Sequence, residues 1–252
     1  MMKGLRKKAL FRYMVIASAV LLLFSPLYMY FSHDVSVLKS KYPHLKIDST
    51  RGVEVEVREG KPKHWVNLKE ISSYGKWAIV LSEDWAFYDH QGVDFEQMKV
   101  ALQEMVTADR FRGASTITQQ MVKNVLLSNS FTLWRKVHEI ILAQKVENVL
   151  SKDRILELYL NSIEFGPGIY GMKNAANHYF KKHPSGLSPR EGAFLAMLLP
   201  SPKRYYVSFK RKKLTKFAQI RLKAILIKMR MGKVIYPQIY ESELRSKFSW
   251  ER

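Results

Sequence analysis

Apolar residues along the chain follow two different periods. In residues 51–60, Val53, Val55 and Val57 alternate with charged residues, which is the period of a half-buried β-strand. Further along, apolar residues recur at steps of three and four, as they do on one face of a helix. These residues are Phe95, Met98, Leu102, Met105, Val137, Ile140, Ile141, Val146, Val149 and Leu150. The pattern predicts a mainly α fold with one clear strand.

Three later segments refine this prediction. Ser151 and the S-P-R-E sequence at residues 188–191 are typical helix caps, and Pro200 should end the second of these helices. FGPGIYG at residues 165–171 is predicted to be a loop with unusual backbone angles, suited to the close approach of a ligand. The tail after residue 204 is rich in cations with apolar residues between them, which predicts a basic amphipathic helix packed on the domain, with membrane-surface contact as a secondary role.

Residues 13–32 contain no charged residue and could span a hydrocarbon core of ~30 Å as a helix. Five cations and no acidic residue precede this run, so the positive-inside rule places the N-terminus in the cytoplasm and the chain after His33 outside it. A cleaved signal peptide is the alternative, but no small-x-small site follows the run. A buried core helix is a third interpretation, which the length and the basic flank disfavour. We predict one transmembrane helix.

Charge then narrows the class of partner. Lys and Arg number 42 against 22 Asp and Glu, a formal net charge of +20, which favours phosphate-bearing partners. Because an exported domain does not meet DNA, lipid headgroups or a phosphorylated lipid substrate are favoured over nucleic acid. Cysteine is absent, which excludes disulfides, thiol nucleophiles and cysteine zinc sites in this sequence.

One main domain is expected behind the anchor. The predicted segments are a cytoplasmic basic segment at residues 1–12, the transmembrane anchor at 13–32, a linker with a short strand at 33–64, the core at 65–205 and a basic helical extension of the same domain at 206–252.

The first candidate site is SEDWAFYDHQGVDF at residues 82–95. Glu83 and Asp84 stand beside Trp85 and Phe87, and apolar surroundings could raise the pKa of a carboxyl group, as a general acid or base requires. Acidic residues near aromatics at a helix end are common on ordinary surfaces. This segment alone therefore favours a structural interpretation over a catalytic one.

The second candidate, RGASTITQQMVKN at residues 112–124, is dense in hydrogen-bonding groups. They are Ser115, Thr116, Thr118, Gln119, Gln120 and Asn124, together with the cation Lys123. Such a set suits a substrate rich in hydroxyl, amide and phosphate oxygens, as sugars on a pyrophosphate are. The alternative is a capped polar helix start, which is less attractive because Gln119 and Gln120 would both have to be surface residues.

The third candidate is WRKVHEIILAQKVE, in which Arg135 and Lys136 precede Glu139 by four and three residues. One helix face would then present two cations and a carboxylate. This group is either a surface salt bridge or a binding site for pyrophosphate, in which the cations stabilise negative charge developing on a leaving group.

In this order, the three candidates resemble the peptidoglycan glycosyltransferases of glycosyltransferase family 51. The family patterns E-D-x-x-F-x-x-H-x-G-x-D, G-small-S-T-x-T-Q-Q-x-x-K-N, R-K-x-x-E and K-x-x-I-L-E-x-Y-L-N correspond to EDWAFYDHQGVD, GASTITQQMVKN, RKVHE and KDRILELYLN. GIYGMKNAANHYF and LSPREGAFLAMLLPSP also match, so the resemblance covers roughly residues 65–205. Ala114 replaces a second glycine, a mild departure. With no transpeptidase domain after residue 252, the monofunctional form is expected.

The resemblance implies a lysozyme-like catalytic lobe with a smaller membrane-apposed lobe. The implied reaction is attack by the GlcNAc 4-hydroxyl of lipid II on C1 of the MurNAc at the reducing end of the lipid-linked chain. Undecaprenyl pyrophosphate leaves and the α linkage becomes β-1,4. The implied partners are lipid II, the lipid-linked glycan chain, the cytoplasmic membrane and other cell-wall synthesis proteins, with no nucleic acid.

The resemblance also assigns roles to residues. Glu83 is expected to be the general base, and Glu139 a second acid that assists the leaving group through a cation or orients the cations. Arg135 and Lys136 are expected to bind the pyrophosphate. The other expected substrate-binding residues are Ser115, then Thr116, Gln120, Lys123 and Asn124 on the donor side, and Asp84, Phe87 and His90, which support the first motif.

No cofactor is required by the sequence, although Mg²⁺ could neutralise pyrophosphate charge alongside or instead of lysine. No metal site is expected, because His90, His138 and His178 lack ligand-like spacing. Two other functions stay open. A lysozyme-like lytic muramidase would use a single glutamic acid and would not need the cations of the third candidate. A non-catalytic membrane scaffold is disfavoured because Glu83 and Glu139 are both present.

Overall fold

A computed structural model of the protein describes residues 13–14, 33–48, 52–107, 113–127 and 133–251. The predicted anchor at residues 13–32 therefore lies outside the described residues, apart from Tyr13 and Met14. Within the described ranges, no helix is both long enough and apolar enough to cross a membrane.

The described chain is mainly α-helical, which confirms the fold class predicted from the apolar pattern. Its helices are α1 (Ser73–Glu83), α2 (Phe95–Thr107), α3 (Ile117–Val125), α4 (Leu133–Val149), α5 (Lys152–Ser162), α6 (Met172–Phe180), α7 (Pro189–Leu198), α8 (Pro202–Tyr205), α9 (Val207–Lys210), α10 (Lys216–Met231) and α11 (Pro237–Arg245). Its strands form two antiparallel hairpins, β1 (Tyr42–Asp48) with β2 (Gly52–Arg58), and β3 (Glu164–Gly166) with β4 (Ile169–Tyr170).

The N-terminal hairpin contains the predicted strand and one that was not predicted. In β2, Val55 and Val57 pack against the core, which confirms the strand indicated by the alternating valines. Its partner β1 pairs with it from Tyr42 opposite Arg58 onward. In β1, Leu45 and Ile47 alternate with polar residues, so its sequence carries a short strand pattern that the prediction missed, and Pro43 at its second position weakens that pattern.

The segment before this hairpin is also folded onto the helices. Val35 and Leu38 are buried in the core. Arg154 of α5 donates to the carbonyl oxygens of Leu38 at 2.9 Å and Lys41 at 2.8 Å. Residues 33–64, expected as a linker with a strand, thus contribute side chains and backbone groups to the packed domain.

Helices α1, α7 and α10 pack together at the centre of the fold. Gly192 lets α7 lie directly on α1, because a Cβ at this position would come within 2.7 Å of the carbonyl oxygen of Tyr74. Helix α10 covers both with a buried face that includes Leu222 and Ile225. Since α1 is held on two sides, the position of Glu83, its last residue, is fixed by the core.

The predicted caps are confirmed, and the predicted loop is corrected. Ser151 caps α5 by accepting from the Arg154 amide, and Ser188 with Glu191 forms the reciprocal capping box of α7. FGPGIYG, however, forms most of the β3–β4 hairpin, with left-handed backbone angles at Gly168 (φ 71°) and Gly171 (φ 80°). The glycines correctly indicated unusual angles, but the short strands around them were missed because two or three residues are too few to show a period.

Candidate active site

Glu83 stands at the C-terminal end of α1, beside a cleft of about 300 Å³. The described residues that line this cleft are Ser82, Glu83, Asp84, Trp85, Ala86, Asp94, Gln97, Gly113, Ala114, Ser115, Thr116 and Lys228. The cleft therefore brings together the first two candidate motifs and one residue of α10.

The Glu83 carboxylate is held by α3 and α5. Gln120 Nε2 donates to Glu83 Oε2 at 3.0 Å, and the hydroxyl of Tyr159 donates to Gln120 Oε1 at 2.9 Å. This second bond fixes the amide so that its NH₂ group points to Glu83. Tyr159 is fully buried, and burial raises its pKa well above 10.0, so it remains a donor. The two bonds fix the orientation of the Glu83 carboxylate.

Burial raises the pKa of Glu83 above its ordinary value of 4.5, because a charged carboxylate is less stable away from water. The Gln120 hydrogen bond and the positive charges of Arg221 and Lys228 oppose this rise, and the neighbouring Asp84 adds to it. A carboxylate with a raised pKa that still reaches a cleft is suited to accept or deliver a proton in general acid–base catalysis.

Asp84 joins the first motif to the second. Its Oδ2 accepts from the amide of Ile117, the first residue of α3, at 2.9 Å, and both of its carboxylate oxygens lie 3.0 Å from Nε2 of His90. His90 Nδ1 accepts from the Gly92 amide at 3.1 Å, so Nε2 is the ring nitrogen that donates to Asp84. These two side chains set the position of Glu83 relative to α3.

The structure corrects the role expected for Phe87, which was substrate binding. The Phe87 side chain is fully buried, with 0% exposure, and packs edge-on against Tyr88 and His90. The ammonium group of Lys152 lies 4.6 Å from the ring centroid. Phe87 thus supports the motif through packing and makes no surface available to a substrate.

The second motif splits between helix capping and the cleft. Thr116 caps α3 by accepting from the Gln119 amide, and its hydroxyl donates to the Gly92 carbonyl at 2.7 Å. The buried Gln119 side chain completes the capping box, and Thr118 donates to Glu147 at 2.5 Å. Capping of α3 therefore accounts for Thr116 and Gln119, Thr118 joins α3 to α4, and Gln120 faces Glu83.

The third motif forms a compact ionic cluster on α4. Glu139 is only 3% exposed and accepts from Arg135 at 3.2 Å and from Lys136. Lys136 Nζ also donates to Ser115 Oγ at 2.9 Å, which ties α4 to the segment before α3. Because Glu139 is buried and shared by two cations, it fixes their positions.

Lys123 of α3 connects this cluster with Glu83. Partial desolvation lowers the pKa of its ammonium group, and Arg135 and Lys136 lower it further, while Glu139 and Glu83 oppose the change. Lys123 also lines a larger groove of about 1030 Å³ with Asn124, Arg135 and the β1–β2 hairpin. Gln120 and Lys123, three residues apart on α3, thus face Glu83 and the cations respectively.

Three residues that support the site were not predicted from the sequence. Lys228 of α10 donates to the carbonyl oxygens of Leu81 and Ser82 at 3.0 and 3.3 Å, at the end of α1. Glu147 pairs with Lys152 at 2.8 Å, and Lys152 also donates to the His90 carbonyl. The sequence offers no reason to select Lys228 as a site residue, because it is one of many cations in the long basic segment of the tail.

The groups that could bind an anion lie on α3 and α4. The ammonium group of Lys123 and the guanidinium group of Arg135 line the groove, and such groups bind phosphate directly. The groove is also lined by the carboxylates of Glu54, Glu56 and Glu164. Within the described part of the chain, no group of three or more His, Asp or Glu side chains is arranged to hold a metal ion.

Comparison of the sequence with known proteins identifies its family. The Transglycosylase family pattern matches residues 51–230. Proteins named biosynthetic peptidoglycan transglycosylase from Shewanella denitrificans, Nitrosomonas eutropha and Aromatoleum aromaticum are 49%, 40% and 38% identical over 141, 157 and 202 residues. These matches cover 56%, 62% and 77% of this chain, and 62%, 64% and 88% of the relatives.

The chain thus spans less than two thirds of the length of the first two relatives and most of the third. The family match includes all three motifs and reaches back to β2 and forward into α10, well beyond the 65–205 segment covered by the motif resemblance. The chain belongs to the transglycosylase family.

Proposed function

We propose that the protein polymerises peptidoglycan glycan strands, with the lipid-linked growing chain as donor and lipid II as acceptor. The observation that carries this proposal is that Glu83, a carboxylate of raised pKa at a cleft, lies near the cations of α3 and α4, since the charges of both Glu83 and the α4 cluster act on Lys123. A proton acceptor next to an anion-binding cluster is what attack by an alcohol on a sugar pyrophosphate requires.

In the proposed step, Glu83 accepts the proton of the GlcNAc 4-hydroxyl as its oxygen bonds to C1 of the donor MurNAc. An alcohol is a poor nucleophile near neutral pH without such help, and a positioned base contributes roughly 10²- to 10⁴-fold. The raised pKa makes Glu83 a stronger base than an exposed carboxylate once it is ionised. Gln120 keeps the accepting oxygen in place.

The cations act on the leaving group. As the bond between C1 and the pyrophosphate oxygen breaks, its electron pair stays with the pyrophosphate, and Lys123, Arg135 and Lys136 stabilise the added negative charge. Glu139 was expected either to assist departure or to orient the cations. Its burial and its two ion pairs favour the orienting role.

We propose a lysozyme-like lobe around Glu83, a smaller lobe toward the bilayer, and a single N-terminal anchor at residues 13–32 with the catalytic domain outside the cytoplasmic membrane. The uncharged run and its basic flank support the anchor. A reporter active only in the cytoplasm should be silent when it is fused to Arg252, and a strong signal there would contradict this topology.

The reaction itself can be tested with purified protein in detergent and labelled lipid II. We expect a polymer that lysozyme degrades to short fragments. A parallel incubation with finished peptidoglycan addresses the muramidase alternative, for which a glutamic acid of raised pKa would also serve. Release of soluble fragments from finished peptidoglycan, with no polymer from lipid II, would show that the protein is a lytic enzyme.

A further inference from the structure

Helix α10 (Lys216–Met231) presents three different faces. One is buried against α1 and α7 and includes Leu222, Ile225 and Met229. The second carries Arg221 and Lys228, whose positive charges act on Glu83. The third faces solvent and has no part in the proposed chemistry.

An apolar stripe runs along this third face. At about 100° per residue, Phe217, Ile220, Ala224, Ile227 and Met231 fall within a sector of about 80° around the helix axis. Phe217, Ile220 and Met231 are 45%, 67% and 66% exposed, Ala224 is exposed, and Ile227 is half-buried at the edge of the core. Single exposed apolar residues are ordinary, but a row that continues along the whole length of a helix marks a contact surface.

Cations border the stripe on both sides. Lys216, Lys223 and Arg230 are spaced by seven residues, so they form one row along the helix, and all three are exposed. Arg221 and Lys228 lie along the opposite border, toward the Glu83 cleft. Helix α10 contains no acidic residue.

The surrounding chain has the same character. Residues 192–240 contain no Asp or Glu, and their cations are Lys203, Arg204, Lys210, Arg211, Lys212, Lys213, Lys216, Arg221, Lys223, Lys228, Arg230 and Lys233. Tyr205 stacks on Phe217 with ring centroids 4.8 Å apart, and Tyr236, just after α10, is 74% exposed. An apolar stripe with an aromatic rim and cationic borders is the pattern of a helix that lies in a membrane interface.

We infer that this face of α10 rests on an anionic bilayer, with the stripe at the boundary between headgroups and acyl chains and the Lys216, Lys223 and Arg230 row on the headgroups. Charge complementarity selects lipid as the occupant, because the region offers cations and apolar surface with no acidic group. Since α10 also carries Lys228 into the cleft, this contact would bring the opening of the cleft to the bilayer surface.

The absence of cysteine from the sequence makes the inference simple to test. The full chain with Ile220→Cys, labelled with an environment-sensitive fluorophore, is reconstituted into vesicles of phosphatidylglycerol and phosphatidylcholine that carry a shallow acyl-chain quencher. We expect the emission to shift to shorter wavelength and to be largely quenched. Gln219→Cys is the matched control, since this exposed neighbour lies about 100° further round the helix, beyond the cation row. Its label should remain aqueous.

Two comparisons decide the outcome. In vesicles of phosphatidylcholine alone, or at high salt, quenching at Ile220 should fall, because the attraction to anionic headgroups is lost or screened. Equal quenching in both lipids would overturn the role of the cations. An Ile220 label as aqueous as the Gln219 label in anionic vesicles would overturn the inference and leave the stripe as a surface for another protein. The measurement needs no substrate, so its failure is separate from failure of the proposed reaction.

Discussion

Lys136→Ala should lower polymerisation of lipid II by roughly 10²- to 10³-fold, the loss typical of removing one preorganised group that stabilises transition-state charge. Lys136 is held between Ser115 Oγ and Glu139, so its ammonium group has a fixed position before any substrate binds. Lys136→Arg should restore only part of the activity, because a planar guanidinium does not reproduce a point charge at this position.

Stability should change little in the same variant. The Lys136 side chain is 40% exposed, so water screens its ion pair with the buried Glu139 and limits what that pair contributes to stability. Glu139 also retains Arg135 as a partner, so no buried charge is left alone. Thermal unfolding and initial rates measured on one preparation separate the two effects. Lys69→Ala, at an exposed site away from both clefts, is the control for loss of one cation.

Two results would contradict the pyrophosphate role. If Lys136→Ala polymerises lipid II at the wild-type rate, the cluster on α4 is a structural salt bridge. If activity and melting temperature fall together, and Lys136→Arg restores both, the residue supports the fold instead of the leaving group.

The sequence predicted the elements of the site better than their arrangement. Spacing along α4 was sufficient to group Arg135, Lys136 and Glu139, because residues three and four apart on a helix are neighbours. That Gln120 would face Glu83 could not be predicted, since the two residues are 37 positions apart in the chain and lie on different helices. Such contacts depend on tertiary packing, which no local period encodes.

Neighbouring residues of one polar motif also took different roles. Gln119 and Gln120 are chemically identical, yet the first closes the capping box of α3 and the second holds Glu83. The T-x-x-Q spacing of Thr116 and Gln119 is a capping signal, so this part was available from local sequence. The contribution of Lys228 was not, because it depends on α10 packing against α1.

Glu83→Gln should reduce polymerisation by roughly 10²- to 10⁴-fold, because the amide keeps the shape of the carboxylate but cannot accept the acceptor proton. The loss should appear in kcat, with donor binding retained, since the carboxylate acts mainly in the transition state. Glu83→Asp is a useful companion, because it keeps the charge and moves the oxygens away from Gln120. Activity of Glu83→Gln within a few-fold of wild type would transfer the base role to another carboxylate.

The folded protein should tolerate Glu83→Gln, and at neutral pH it should be at least as stable as wild type. Burial raises the pKa of Glu83 above 4.5, so the native state binds this proton more tightly than the unfolded state does. The contribution of Glu83 to stability is therefore most favourable below about pH 4.5 and declines as the pH rises through the native pKa. Melting curves across this range should show the decline in wild type and its loss in Glu83→Gln. A large fall in melting temperature at neutral pH would indicate a structural carboxylate.

Ionisation of Glu83 should affect both the stability and the reaction rate, so the pH profile is the most direct test of the base role. Wild-type kcat/KM should rise with pH through the native pKa of Glu83, since only the ionised carboxylate can accept the proton. The stability contributed by Glu83 should decline between its unfolded and native pKa values, so the decline should level off near the midpoint of the rise in activity, which lies at the native pKa. Lys228→Met should move that midpoint upward, because it removes a cation that favours the ionised form of Glu83. If the rising limb persists unchanged in the residual activity of Glu83→Gln, another group is the base.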